Sequence, residues 1–328
     1  MKAYLIDKNE SGAGRGHWAE LAESQLDPGE LSLRVLYSSI NYKDALAATG
    51  KGKIIRRYPC VGGIDMVGEV IESSDARFTP GQQVIATSFD IGVSHHGGYA
   101  ERARVPAAWA VPLPAGLDAW EAMALGTAGF TAALGIVRME DNGLAPAKGP
   151  VVVSGATGGV GSLAIAMLAG LGYEVAALTR KQAEHDYLRG LGAAQILPLQ
   201  DIDLQAVRPL EAGRWAGAVD NVGGAVLHWM LANMKQAGTV ASIGNAGDIK
   251  LETTVFPFIL RGVSLLGVDS GYMGFPTRTG VWERLASDLK PKQLRDISRT
   301  IEFDALGEAF DDFIEGRIKG RTVVRIGA

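Results

Sequence analysis

The chain has 328 residues, 47% of them apolar and 21% charged, which is enough to bury a sizeable core and, by length, to form two domains. A formal net charge of -4 speaks against nucleic acid or an anionic membrane as partner and leaves room only for local basic patches that meet a phosphorylated ligand. Cys60 is the single cysteine, so an internal disulfide is excluded and a cytoplasmic location is the simplest expectation.

The N-terminal stretch carries Asp7, Lys8 and Glu10 where a signal peptide needs its apolar segment, so it does not read as a secretion signal. Short β-type runs follow, at Lys2–Ile6, Leu31–Ser38, Gly68–Glu72, Gln83–Ala86 and Tyr99–Val105. They are separated by turn signals such as Asp27-Pro28-Gly29 and Thr79-Pro80-Gly81, and together they predict an irregular β barrel. From about Trp120 helical stretches alternate with compact apolar strands at Val151–Ser154, Glu174–Leu178, Gln195–Leu197, Gly217–Val219, Thr239–Ile243 and Ser264–Val268, the pattern of a doubly wound parallel sheet. Two amphipathic helices, Arg278–Leu289 and Gly307–Glu315, and a strand, Thr322–Ile326, then return the chain to the first domain. The expected fold class is α/β, with domains over 1–122 and 123–268 and a C-terminal return over 269–328.

The stretch Gly149–Tyr173 has no charged residue and is long enough to span a bilayer, but Pro150 and seven glycines interrupt it. It reads instead as a strand, a glycine turn and a helix, Ser162–Leu171. The turn, Gly155-Ala156-Thr157-Gly158-Gly159-Val160-Gly161, is an A-x-G-x-x-G variant of the dinucleotide fingerprint. Glycines let the backbone approach a pyrophosphate and let the helix pack closely on the strand, while the helix N-terminus offers N–H groups to the anion. The next strand ends in Thr179-Arg180-Lys181, where an NAD site would place an acid on the ribose 2′-hydroxyl. A hydroxyl followed by two cations suits a 2′-phosphate, so the expected cofactor is NADPH. Two further strand ends, Asp220–Gly223 and Ser242–Asn245, are expected to meet the nicotinamide half.

The whole chain resembles the medium-chain dehydrogenase/reductase superfamily, with its GroES-like β-barrel domain and Rossmann domain. The runs Asn41-Tyr42-Lys43-Asp44-Ala45-Leu46, Thr49–Ile55, Gly63-Ile64-Asp65, Gly126–Thr131 and Gly320-Arg321-Thr322 resemble its acryloyl-CoA reductase, or quinone oxidoreductase, branch. The resemblance implies reduction of the carbon–carbon double bond of a short enoyl-CoA. It assigns Tyr42 as proton donor or cofactor-contacting aromatic and Asn41 as a donor to the enolate oxygen, and it adds Asn245, Ser270 and Arg321 to the cofactor set. Lys43 and Asp44 are expected to set the loop by a local ion pair or hydrogen-bond network, and Asp65 to hold an interdomain hydrogen bond.

Zinc enzymes of this superfamily carry a Gly-His-Glu run where Gly63-Ile64-Asp65 stands here, and isoleucine cannot ligate zinc. One cysteine cannot build a four-thiolate site, and the adjacent His95-His96 read as turn caps, so no metal is expected. The run from Lys51 to Arg57 puts four cations, Lys51, Lys53, Arg56 and Arg57, into seven residues. It is either a solvated face or a clamp for coenzyme A phosphates. Phe130, Tyr272 and Met273 are candidates to line an acyl pocket. Two other readings stay open: a reductase of quinones or enones, and an NADPH-binding protein without catalysis. The apolar run Val263–Val268 suggests an edge strand that pairs across a two-fold axis in a homodimer.

Overall fold

The computed structural model describes residues 1–10 and 12–327. It divides into two compact units, the first made of Met1–Thr127, Gly271–Ala286 and Leu294–Ala328, the second of Ala128–Ser270 and Ser287–Gln293. The first break therefore falls after Thr127 rather than residue 122, and the second unit also takes back a short piece of the C-terminal segment.

In the first unit, β1 (Lys2–Lys8) pairs antiparallel with β2 (Gly14–Glu20) and with β4 (Cys60–Val61). A larger sheet runs through β3 (Leu31–Ile40), β5 (Asp65–Ser73), β6 (Gln83–Thr87) and β8 (Ala110–Pro112). On its other edge β3 is shared, with β7 (Arg102–Val105) against Leu31–Arg34 and β16 (Arg321–Arg325) against Tyr37–Ile40. Outside β16 lies β15 (Ser298–Glu302), which the sequence pattern did not suggest because three of its five residues are exposed and none is buried. The glycine-rich β2 was likewise not expected. Gly16 is required there because a Cβ would stand 2.2 Å from the Tyr4 ring on β1. Helices α1 (Tyr42–Thr49), α7 (Phe275–Leu285), α8 (Leu294–Ile297) and α9 (Leu306–Ile314) complete this unit. α1 and α9 bury Ala45, Ala48, Leu306 and Phe310 against Tyr4, Ile6 and Tyr99, a core distinct from the one formed by Leu31, Leu33, Val70, Val84 and Ile91 inside the larger sheet.

Between α1 and α7 in sequence runs α2 (Ala119–Asp141), whose backbone breaks at Gly126 with φ 50° and ψ -154°. By length and composition α2 could cross a membrane, but 83% of its apolar window is buried in the protein. The stretch Gly149–Tyr173 instead contains a short strand, Val151–Val153, and a helix, Gly159–Gly170.

The second unit is a six-stranded parallel sheet in the order β11 (Gln195–Pro198), β10 (Val175–Thr179), β9 (Val151–Val153), β12 (Trp215–Asp220), β13 (Met234–Ser242), β14 (Ser264–Gly267). The central strands are buried on both faces, as expected of near-continuous Val and Ala runs. The helices α3 (Gly159–Gly170), α4 (His185–Gly190), α5 (Gly224–Ala232) and α6 (Phe256–Arg261) connect the strands. The order reverses at β9, so β9, β10 and β12 bring their carboxyl ends to the switch point at which doubly wound sheets bind ligands.

Candidate functional site

In the second unit β9 runs through Ser154 into a turn whose Gly155 has φ +58°. At Gly161 a Cβ would lie 2.3 Å from the Gly155 carbonyl oxygen, so only glycine lets α3 start this close to the strand. Gly158 is the N-cap and supplies no side-chain hydrogen bond, which leaves the first-turn N–H groups of Gly159, Val160 and Gly161 without a capping side chain. Thr157 is buried beside them. At the end of β10 the Thr179 hydroxyl accepts the Lys181 N–H at 3.0 Å. Arg180 is exposed and has no ion-pair partner among the described residues. Asp220, at the end of β12, is fully buried. It accepts the Ser154 hydroxyl and the N–H groups of Val222 and Gly223, so it fixes the loop that follows, while burial pushes its carboxyl above the ordinary range. The Asn221 side chain donates to the Ser154 carbonyl at 2.7 Å, and its Oδ1 is buried without a partner among the described residues. Asn245 is exposed, and Ser270 accepts the Thr131 hydroxyl at 2.7 Å. Phe130 corrects an expectation: it is fully buried core, with no surface left to line an acyl pocket.

The first unit contains a buried polar cluster that the sequence did not assemble. Asp65, at the start of β5, is 0% exposed. Its Oδ2 accepts the Ser39 hydroxyl at 2.6 Å, the Asn41 side-chain amide at 2.8 Å and the Thr127 N–H at 3.0 Å. Its Oδ1 accepts the Thr127 hydroxyl, and the Ser88 and Thr127 hydroxyls lie 3.0 Å apart. The break at Gly126 makes this possible, because it frees the Thr127 N–H at the start of a resumed helix and lets the Asp65 carboxylate cap it. All of these partners belong to the first unit, whose first segment ends at Thr127; by the bounds read from sequence, 1–122 and 123–268, the bonds to Thr127 are the ones expected to join two domains.

Arg321, at the start of β16, is 3% exposed. It donates to the carbonyl oxygens of Ala124 and Ile40, to Asn41 Oδ1 at 3.1 Å and to the Ser39 hydroxyl at 2.8 Å, with Asp65 Oδ2 at 3.8 Å. Its guanidinium is thereby committed to protein acceptors. Burial lowers its pKa, and the Asp65 and Asp44 charges oppose that.

Asp44 is also buried, and it does not pair with the exposed Lys43. It accepts the Asn41 backbone N–H at 2.8 Å and side-chain amide at 3.3 Å through Oδ2, and the Ile64 N–H at 3.0 Å through Oδ1. Burial, and then the charge of Asp65, pushes its carboxyl up to about 7. Tyr99 donates to the Ser39 carbonyl at 3.0 Å, and burial raises its phenol well above the usual range, with Asp44 and Asp65 adding to the shift. Four of the runs singled out in the sequence thus meet here, at Asn41–Asp44, Asp65, Gly126–Thr127 and Arg321.

This geometry corrects the role of Asn41. Its side-chain amide donates to Asp65 and to Asp44 and accepts from Arg321, so no hydrogen remains for a substrate oxygen. The next residue, Tyr42, opens α1. It is 53% exposed, and its hydroxyl has no partner among the described residues.

The basic run divides. Arg57 pairs with Asp27 and donates to the Ser94 carbonyl, and Arg56 lies 3.5 Å from Asp90 and donates to the Tyr272 hydroxyl, which itself donates to Asp90. Only Lys51 and Lys53 have no acidic partner among the described residues. Lys51 lines a cavity of about 590 Å³ with Arg15, Asn9 and Thr49, and the Asp311 carboxylate also faces it. His96 Nδ1 accepts the Val61 N–H at 2.9 Å and the His95 ring contacts the Pro28 and His96 carbonyls, so these rings hold loops together. Among the described residues no three His, Cys, Asp or Glu side chains gather as a metal would require, and Ile64 is buried. The donor set does not fit a zinc ion.

Residues 27–115 match the family described as alcohol dehydrogenase GroES-like domain, and 159–287 the one described as zinc-binding dehydrogenase. The chain is 47% identical to the acrylyl-CoA reductase AcuI of Ruegeria pomeroyi over 100% of both chains. It is 46% identical to YhfP of Bacillus subtilis, by name a quinone oxidoreductase, over 94% of each. The YhfP structure was solved with NAD bound and superposes with a TM-score of 0.95, covering 99% of each chain. The yhdH oxidoreductase of Salmonella enterica, solved with NADP, is 46% identical with a TM-score of 0.96, covering 99% of this chain and 100% of its own.

Proposed function

The chain belongs to the medium-chain dehydrogenase/reductase family, in the group that holds acrylyl-CoA reductase and YhfP, and from that premise we propose that it is a zinc-free, NADPH-dependent reductase of a short enoyl-CoA, acryloyl-CoA first among them. One observation carries the reading: the uncapped glycine turn at Gly158–Gly161 lies beside a strand end that offers Thr179, Arg180 and Lys181 and no acid. The turn would hold the pyrophosphate on free N–H groups, and Arg180 with Lys181 would meet the 2′-phosphate. Asn221, Asn245 and Ser270 would serve the nicotinamide half. The NAD bound to YhfP is the reason to test cofactor choice directly.

When bound, NADPH supplies the hydride for the β-carbon of the activated alkene. The chain's own task is then to deliver a proton to the α-carbon and to stabilise the enolate. Tyr42 is suited to the first, since its side chain is exposed and its hydroxyl has no partner among the described residues. Backbone N–H groups take over the oxyanion role first given to Asn41. Lys51 and Lys53, with Arg15, are the cations available to coenzyme A phosphates, since Arg56 and Arg57 are already paired.

We also propose a homodimer built on the second unit, in the cytoplasm. Among the described residues β14 pairs only with β13 and so is an edge, and the preceding segment exposes Val255, Phe256, Ile259 and Leu260.

The test is oxidation of NADPH, and in parallel of NADH, with acryloyl-CoA and with a simple quinone. Turnover confined to NADPH with acryloyl-CoA is the expected result. Preference for the quinone would transfer the acceptor assignment to the reading that YhfP's name favours, and cofactor binding without turnover would favour a non-catalytic role.

A further inference from the structure

The N-cap of a surface helix needs one acceptor for one or two N–H groups. The N-cap of α1 has far more: the Asn41 amide is held at once by two buried carboxylates and a buried guanidinium, with Asp65 at 2.8 Å, Asp44 at 3.3 Å and Arg321 at 3.1 Å. Asp44 additionally holds the Asn41 backbone N–H, so both the main chain and the side chain of this residue are fixed. Burying three ionisable groups is expensive, and stability alone is better served by apolar packing. The residue fixed in this way directly precedes Tyr42, whose side chain is 53% exposed and whose hydroxyl has no partner among the described residues.

We propose that Asp65 is a positioning residue for the reaction, acting through the Asn41 side chain to hold Tyr42 at the start of α1 in the orientation that delivers its proton. Asp65 itself touches no reactant. It is anchored by Ser39, Thr127 and Arg321, and it passes that fixed position to Asn41 by a single hydrogen bond. The inference rests on the reading of Tyr42 as proton donor.

The test is a double-mutant cycle on the full-length enzyme with acryloyl-CoA and NADPH. Asp65→Asn keeps the volume and replaces an acceptor by an amide, and Tyr42→Phe removes only the hydroxyl. Asp65→Asn alone is expected to lower kcat about 10- to 100-fold, the loss that small misplacement of a reacting group produces, with the KM for NADPH changed less than about 2-fold. In the Tyr42→Phe background the same substitution should lower kcat by no more than about 2-fold. An equal loss in both backgrounds overturns the proposal while leaving Tyr42 as donor. If Tyr42→Phe is neutral and Asp65→Asn still impairs turnover, the donor reading falls and the proposal with it. Asn41→Ala, which removes the connecting amide but leaves Asp65 paired with Arg321, repeats the cycle should Asp65→Asn fail to fold. The same non-additivity is expected of it.

Discussion

Asn41 donates a side-chain hydrogen bond to Asp65 at 2.8 Å across 24 positions of sequence, and that bond ties the start of α1 to the start of β5. Around it the protein keeps two carboxylates and one guanidinium in a dry environment, so each depends on the others.

Arg321 is the only cation within that group, and its geometry makes lysine a poor substitute. The guanidinium reaches the Ala124 and Ile40 carbonyls, Asn41 and Ser39 from three nitrogens, whereas an ammonium offers three donors at a single point. Arg321→Met should destabilise the fold by about 3–5 kcal/mol, the usual loss when one partner of a buried pair is removed. Arg321→Lys should recover only part of this. Denaturant midpoints of the three proteins measure it, and a Lys variant as stable as the parent would show that the fork geometry is not used.

Gly126 has φ +50°, and a Cβ placed there would stand 2.6 Å from Asp65 Oδ2 and 2.7 Å from Arg321 Nη2. Gly126→Ala therefore combines backbone strain with intrusion into the cluster, and a loss of about 2–4 kcal/mol is expected. Gly172→Ala makes a useful contrast. It has a similar positive φ but no atom within 4 Å of the added Cβ, so only the strain should be felt. Comparable thermal shifts for the two would remove the steric part of the account.

Asp44 gives stability an unusual pH dependence. Its carboxyl, ordinarily near 4, is held up to about 7 by burial and then by Asp65. Between those values the folded protein keeps a proton that the unfolded chain has lost. Stability from this group is therefore present at the acid end of the window, falls as pH rises through it, and is level above about 7. The whole window is worth at most roughly 4 kcal/mol. Unfolding midpoints taken at about pH 5 and about pH 8 should differ more for the parent than for Asp44→Asn, in the direction of lower stability at the higher pH. Equal slopes would mean that Asp44 is ionised in the folded protein throughout.

Much of the second unit could be read from sequence, because buried parallel strands are apolar runs and the glycine turn has a local steric cause in Gly155 and Gly161. The strands of the first unit were legible where they alternate or run apolar, as at Leu31–Ile40, and not where coverage is partial, as at Ser298–Glu302. The polar cluster was visible only as separate runs. Nothing local tells Asp65 from a surface acid or Arg321 from a ligand-binding one, since each acquires its partners from elements distant in sequence, from Asn41 and Thr127 in one case and from Ser39 and Ala124 in the other. The pairing of Arg56 and Arg57 in the basic run was not legible for the same reason, because their acids, Asp90 and Asp27, are distant in sequence.

The end of β10 makes cofactor choice testable at one residue. Arg180 is exposed and unpaired among the described residues, so its removal should disturb little besides a bound phosphate. A hydrogen bond between charged groups contributes about 1.5–3 kcal/mol, which corresponds to roughly a 10- to 100-fold rise in the KM for NADPH in Arg180→Ala. The KM for NADH should stay within about 2-fold, because the 2′-hydroxyl has no charge for Arg180 to meet. Equal weakening for both cofactors would show that Arg180 does not read the 2′ position.

The edge of the second unit supplies the last prediction. Among the described residues β14 hydrogen-bonds to β13 on one side only, and Ile259 and Leu260 on the preceding helix are 68% and 56% exposed. An unpaired strand beside exposed apolar side chains is covered most economically by the same surface of a second copy, because an antiparallel strand pair is self-complementary about a two-fold axis. Replacing Ile259 and Leu260 by Asp puts like charges opposite each other in such an interface. Sedimentation of the parent should give twice the mass of the chain, and the double variant should sediment as a monomer that still binds NADPH, since neither residue lies near the glycine turn in sequence. A parent that sediments as a monomer at micromolar concentration would remove the dimer, and a variant that stays dimeric would move the interface elsewhere.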